Sequence, residues 1–266
     1  GRDNVLEQSG YSVIVANTDN VLEKEKRSVD KFHERQVDGL IIATARRLDD
    51  VVITCLEEGT PFVLVVRSTI EKGVNSVVSD EIVGGQMIVS HLAQLGHKKI
   101  AYVAGPQFLS TGFERYQGYL QGLKNAGLEL DEDLVAIGDA FTEAEGRQAA
   151  STINANKKPF TAIVAANDLM ALGCYDELIT KGLKCPDDVS VVGYDDMPFT
   201  RHFNPPLTTV HTPLLDVGMQ AARILLERIW KPEQPAHALK LQPHLIVRGS
   251  TGIPSSFSET GTKVTN

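Results

Sequence analysis

The acid pair Asp195 and Asp196 closes the apolar run "VSVVGYDD" (189–196), and Asn167 and Asp168 close "TAIVAAND" (161–168). Asp80 closes "NSVVSD" (75–80). Thr111 and Arg115 follow "KKIAYVAG" (98–105) within "GPQFLSTGFER", and Phe141 follows "LVAIGD" (134–139). Carboxylates accept hydrogen bonds, an amide donates and accepts, a guanidinium donates in a planar fork, and a ring covers an apolar face. Together these groups suit a small hydroxyl-rich ligand such as a sugar or a nucleoside. Other polar residues follow apolar runs in the same way: Thr18 and Asp19, Arg46 and Arg47, then Arg67, Ser68 and Thr69.

Each group also has a plainer use. An Asn or Asp after a strand commonly caps the next helix. One of Asn167 and Asp168 is expected to cap the helix that begins at "LMALG", while Asp19 and Asp139 read as turn or cap residues. Asp80 fits either role, as does Phe141 between packing and covering a ligand. Arg115 lies one turn into a helix, where the dipole disfavours a cation unless a carboxylate compensates it. Signatures of catalysis are missing: there is no G-x-x-x-x-G-K-[ST], no G-x-G-x-x-G after a strand and no G-x-S-x-G. The seven histidines form no H-x-x-x-H pair, so no metal site is read.

The elements that must position these groups alternate. "YSVIVAN" (11–17), "DGLIIAT" (38–44), "PFVLVV" (61–66), 75–80, 98–105, 134–139, 161–168 and 189–196 read as strands. They are apolar on both faces, as parallel strands covered by helices must be. Helix-period segments lie between them. "EIVGGQMIVSHLAQLG" carries Ile82, Met87, Val89, Leu92 and Leu95 and stops at Gly96. "TEAEGRQAASTINA" opens with Thr142 and Glu145 at capping-box spacing. "LLDVGMQAARILLERIW" places Leu214, Val217, Ala221, Ile224 and Leu225 on one stripe. Such alternation builds right-handed βαβ units and an α/β fold. The opening "GRDNVLEQSG" reads as the end of a helix stopping at Gly10, so a preceding strand is expected to be missing. The tail from Pro254 is polar and without periodicity, which reads as disorder.

The 266 residues are 42% hydrophobic and 23% charged, ordinary globular composition. A net charge of −8 repels nucleic-acid phosphates, so these residues alone are not expected to bind duplex DNA. Three cysteines without C-x-x-C spacing read as free thiols rather than a disulfide framework. No 18-residue apolar run is present.

Seven stretches in order give the chain a resemblance: "GYSVIVANTDN", "RQVDGLIIA", "HLAQLGHKKIAYVAGP", "TGFERYQGYLQGL", "AIVAANDLMALG", "DVSVVGYDDMPFTRHFNPPLTTVHTPLLDVG" and "LIVRGST". It resembles the effector-binding core of the LacI/GalR family of bacterial transcription regulators. The resemblance implies two Rossmann-like, doubly wound parallel-sheet subdomains joined by three crossovers, as in type I periplasmic binding proteins, with a sugar-like effector in the cleft between them. It implies an N-terminal subdomain of 1–80 plus about 211–236 and a C-terminal one of 81–210 plus about 237–252. "PPLTTV" (205–210) would then be a crossover, and 253–266 a disordered tail. The effector contacts that carry over are Asp80, Thr111, Arg115, Phe141, Asn167 and Asp195.

The same resemblance implies a cytoplasmic homodimer without cofactor or catalysis. Operator DNA would be met by a helix-turn-helix that these residues do not contain. Leu109 stands where purine-binding members have an arginine, which argues against a purine effector. An exported sugar receptor of the same fold is the rival reading. An effector held by Arg115 and Asp195 implies that Arg115→Ala weakens binding while changing the stability of the unliganded protein much less.

Overall fold

The structure, a computed structural model, describes residues 5–254. They divide into two compact units. Of the described residues, the first contains 5–79, 108–110 and 213–241, and the second 80–107, 111–212 and 242–254.

In the first unit α1 (Val5–Gln8) and α2 (Leu22–Glu34) precede β1 (Leu40–Ile42), α3 (Asp50–Glu57), β2 (Phe62–Val65) and β3 (Ser76–Ser79). Asp49 caps α3 by accepting from Val51 N at 2.9 Å, which fixes where the loop after β1 turns into helix.

The second unit runs α4 (Glu81–Gln94), β4 (Ile100–Ala104), α5 (Ser110–Asn125), β5 (Val135–Ile137), α6 (Glu143–Ala155), β6 (Ala162–Ala165), α7 (Asp168–Thr180), β7 (Ser190–Asp195) and β8 (Thr208–His211). Thr142 caps α6 by accepting from Glu145 N at 3.2 Å. Glu145 does not return the bond as a full capping box would; its carboxylate accepts from Asp139 N at 2.9 Å. The chain then re-enters the first unit as α8 (Leu214–Trp230) and β9 (Ala238–Leu241), and ends in the second unit with β10 (His244–Ile246).

The first sheet has the order β1-β2-β3-β9, all parallel. One face packs Leu40, Ile42, Phe62 and Leu64 on Val51, Val52 and Cys55 of α3. The other packs Val63, Val65 and Val77 on Val217, Ala221 and Leu225 of α8. The second sheet has the order β10-β8-β7-β6-β4-β5, parallel except for the antiparallel edge strand β10. Ala101, Val103, Ile163 and Val191 face α6 and α7, whereas Tyr102, Val164, Val192 and Tyr194 face α4 and α5. Burial on both faces is why these strands read as unbroken apolar runs. Cys55, Cys174 and Cys185 are free thiols, and burial pushes Cys55 and Cys185 up to about 11.

Four expectations need correction. Residues 11–17 form no strand; Val13, Ile14 and Val15 are 53%, 51% and 86% exposed. A strand exists only through a ladder with a neighbour, and β1 is the edge of its sheet, paired to β2. "PPLTTV" does not lead straight out of the second unit. Thr208–His211 first pair in parallel with Val192–Asp195 as β8, and the unit boundary comes after Thr212. Residues 237–241, expected in the second subdomain, belong to the first unit because β9 pairs with β3 from Ser76↔Ala238 to Ser79↔Leu241. In α4 the core residues are Ile88, Val89 and Leu92, with Met87 only half-buried. The polar tail expected to be disordered lies, from 255 onward, outside the described residues.

Candidate functional site

In the second sheet β5 lies on one side of β4, and β6, β7 and β8 follow on the other. The order therefore reverses between the ends of β4 and β6, the position where open parallel sheets leave a crevice outside their carboxyl ends. Arg115 occupies that position. Its helix α5 follows β4, and its Nη1 donates to the Ala166 carbonyl, just past β6, at 2.7 Å. Nε donates to Glu81 Oε2 at 2.6 Å and Nη2 to Asp195 Oδ1 at 2.8 Å. The guanidinium carbon lies 3.8 Å from the centroid of the Tyr194 ring and 5.9 Å from that of Phe141. One cation thus ties together α4, α5, β6 and β7.

Glycines let Glu81 reach Arg115. A Cβ on Gly85 of α4 would lie 2.8 Å from the Arg115 carbonyl oxygen, and one on Gly118 of α5 would lie 2.4 Å from that of Ile82. Side chains there would push the two helices apart and break the 2.6 Å bond. Gly84 has the same function toward β7, since its Cβ would stand 1.9 Å from Tyr194 Oη.

The six expected site residues all lie in the second unit. Arg115 and Asp195 are brought into direct contact. Asp195 is the exposed member of the pair, at 27% against 5% for Arg115. Its φ is +104° and that of Asp196 +54°, so two consecutive non-glycine residues take left-handed backbone where β7 ends. Such conformations cost about 1–3 kcal/mol each and gather at functional sites. Asn167 caps α7, its Oδ1 accepting from Met170 N at 2.8 Å. The cap uses the acceptor half of the amide, so Nδ2 stays available as a donor. Thr111 lies one turn before Arg115 on α5, buried, and its hydroxyl has no hydrogen-bond partner. Phe141 is half-buried, packed on the core under α6 and α7. Asp80 caps α4 by accepting from Val83 N at 3.2 Å. The side-chain link from this helix start to Arg115 is Glu81, the residue after Asp80.

Charges here are paired. Burial pushes Glu81 above the usual carboxylate range, with Arg115 pulling the other way. Burial opposes the charge on Arg115, but Asp195 and Glu81 outweigh it and hold its pKa above the ordinary value. Asp196, half-buried, is bound by Arg248 and by His211 Nδ1 at 3.0 Å. Burial raises its pKa, and these two partners outweigh that and leave it lowered. Arg248 also donates to Thr200 Oγ1 at 3.1 Å and to the Leu207 carbonyl at 2.8 Å. Asp168 is fully buried; its Oδ1 accepts from Thr209 Oγ1 and its Oδ2 from Met197 N, each at 2.7 Å. Its pKa is raised to about 7, chiefly by burial.

Several polar residues noted after the first unit's apolar runs are bonded within that unit, whereas the buried Thr18 hydroxyl has no hydrogen-bond partner. Asp19 pairs with Lys24, and Arg67 donates to Asn20 Oδ1 at 2.8 Å. Ser110 Oγ accepts from Ser68 N at 2.8 Å, and Thr69 Oγ1 donates to the Arg47 carbonyl at 3.1 Å.

Residues 89–251 match the family described as periplasmic binding protein-like domain. The chain is 34% identical over 258 residues to the HTH-type transcriptional repressor PurR of Aliivibrio fischeri, an alignment covering 94% of this chain and 75% of that protein. The chain belongs to the LacI/GalR family of transcription regulators. Solved regulators share its fold. The transcriptional regulator CelR in complex with cellobiose superposes with a TM-score of 0.85 at 34% identity, over 92% of this chain and 75% of that one. A LacI-family regulator from Enterococcus faecium with bound ribose gives 0.79 at 27% identity, over 94% and 90%. As the effector-binding core of a LacI-family repressor, the chain is a sensor rather than an enzyme. Among the described residues no helix is long and apolar enough to cross a membrane.

Sequence reasoning missed Glu81, Tyr194, Arg248 and His211. A carboxylate directly after the Asp80 cap reads as a first-turn acid favoured by the helix dipole, which hides its second role. Arg248 and His211 become partners of Asp196, and Tyr194 of Arg115, only through β7, β8 and the strand end after β10.

Proposed function

We propose that the second unit senses a small, sugar-like polyol at the carboxyl end of its sheet, contacted by Asp195, Asn167, Thr111, Arg115 and Phe141, with Asp80 at the margin. The observation that carries this reading is the state of Asp195. Its carboxylate is partly exposed at the crevice, anchored through Oδ1 by a buried arginine, with Oδ2 left to accept from a ligand hydroxyl. The segments that follow the neighbouring strands carry an amide donor on Asn167, a buried hydroxyl on Thr111 without a partner, and the Phe141 ring 5.9 Å from the Arg115 guanidinium carbon. Cellobiose in one structural neighbour and ribose in another support a carbohydrate over other polyols. Leu109, buried where the family's purine-binding members are expected to carry an arginine, speaks against a purine.

The regulator would work in the cytoplasm as a homodimer, with operator DNA held by a part of it other than these residues. Their net charge of −8 disfavours phosphate contact. Thermal shift against mono- and disaccharides, nucleosides and nucleobases tests the ligand class. A sugar at 100 times its dissociation constant is expected to stabilise the protein by about 2.7 kcal/mol. Stabilisation by a nucleobase and by no sugar would overturn the reading.

A further inference from the structure

We infer that Glu81 fixes the charge class of the effector: the site takes an uncharged polyol and rejects its carboxylate and phosphate analogues. The inference rests on the reading of this site as a sugar site and narrows it.

An arginine in a ligand crevice normally recruits anions, because its fork matches a carboxylate or phosphate. Here three of the five N–H groups are already taken, two of them by carboxylates. Glu81 takes Nε, Asp195 takes Nη2 and the Ala166 carbonyl takes Nη1. One guanidinium faces two carboxyl groups, so the set carries a net charge of −1 with Glu81 ionised and zero with it protonated. In neither state does it offer a positive charge. The accessible member is a carboxylate, with Asp195 27% exposed and Arg115 only 5%. An incoming anion therefore meets like charge first.

Three other sources of positive potential at this end are also engaged. Arg248 is bound to Asp196 and to two oxygen acceptors, the Thr200 hydroxyl and the Leu207 carbonyl. The N-terminus of α4 is capped by Asp80 and followed by Glu81, and that of α7 is capped by Asn167 and followed by Asp168. Free N–H groups and a helix dipole would otherwise attract an anion. Hydroxyl groups are served instead, since one N–H on each terminal nitrogen of Arg115 and the free oxygen of Asp195 suit a donor–acceptor hydroxyl.

The test is calorimetry on the full chain with matched probes: ribose, glucose and cellobiose; ribonate, gluconate and cellobionate; ribose 5-phosphate and glucose 6-phosphate. For the wild type the neutral member of a set is expected to bind at least about 100-fold more tightly than its acid or phosphate, the scale of several kcal/mol for like charges in partial burial. Glu81→Gln keeps the acceptor toward Arg115 Nε and removes the charge, and is expected to narrow that gap at least about tenfold. An acid or phosphate that binds the wild type as tightly as its neutral partner overturns the inference, as does a gap unchanged by Glu81→Gln. Should Glu81→Gln fail to fold, the wild-type series still decides the charge class. If no probe of any class binds, the sugar reading itself fails and this inference falls with it, an outcome distinct from preference for an anion.

Discussion

Arg115→Ala is expected to lower the free energy of unfolding by about 3–5 kcal/mol in the absence of any ligand, the cost of removing one partner from a buried ion pair. The sequence alone suggested a much smaller effect, on the view that water would reach whichever charge survived. The structure corrects that view because Glu81, unforeseen, is as deeply buried as Arg115. Without the guanidinium, Glu81 must either keep an uncompensated charge or take up a proton. Asp195 can be solvated where it stands. The double variant Arg115→Met with Glu81→Leu, which replaces both buried charges by apolar groups of similar reach, should recover most of the loss. Urea unfolding measures this as a shift in midpoint at constant slope. A loss under about 1 kcal/mol for Arg115→Ala, the range of an exposed pair, would show that the triad is solvated.

Stability is also expected to fall as pH rises from about 4 to about 7, and Asp168 is expected to carry much of that slope. Its carboxyl is fully buried, and burial raises its pKa from 3.8 to about 7 in the fold, partly opposed by the bonds from Thr209 and Met197. Between those two values the native state holds a proton that the unfolded chain has released. The contribution is therefore complete below pH 4 and lost by the time pH passes 7. Roughly three pH units at 1.4 kcal/mol each set an upper bound of about 4 kcal/mol, in which the opposing hydrogen bonds are already included. Asp168→Asn destabilises at every pH, because its amide turns a donor toward Thr209 or Met197, but it should flatten the slope. Unfolding free energies at pH 5 and pH 8 for both proteins decide the matter. The same pH slope in each would assign it to other groups.

The frame of this molecule was legible because burial on both faces leaves a plain mark. Runs such as "TAIVAAND" and "VSVVGYDD" announce parallel central strands, and parallel strands point their carboxyl ends one way, so Asn167 and Asp195 could be named before any coordinates. What was not legible depends on partners distant in sequence. Residues 11–17 have the composition of a strand, but composition cannot show whether a neighbour exists to complete the ladder. β8 was obscured by Pro205 and Pro206, which suggested a connection rather than a strand. Glu81 meets Arg115, 34 residues away, only because Gly85 and Gly118 allow α4 and α5 to touch. No local pattern encodes that approach, and it changes the reading of Arg115 from a free ligand donor to a pinned one.

Asp195 gives the most direct test of the central claim, that effector is sensed at the end of β7. With the best-binding sugar identified, calorimetry should compare the wild type with Asp195→Asn. Asparagine tolerates positive φ and keeps an acceptor for Arg115, so the free protein should unfold at nearly the same temperature. The variant loses the charged acceptor facing the ligand, a hydrogen bond worth about 1.5–3 kcal/mol, so affinity should fall at least about tenfold. Unchanged affinity in Asp195→Asn would place the effector elsewhere and leave Asp195 as a strand-end residue that serves only to hold Arg115.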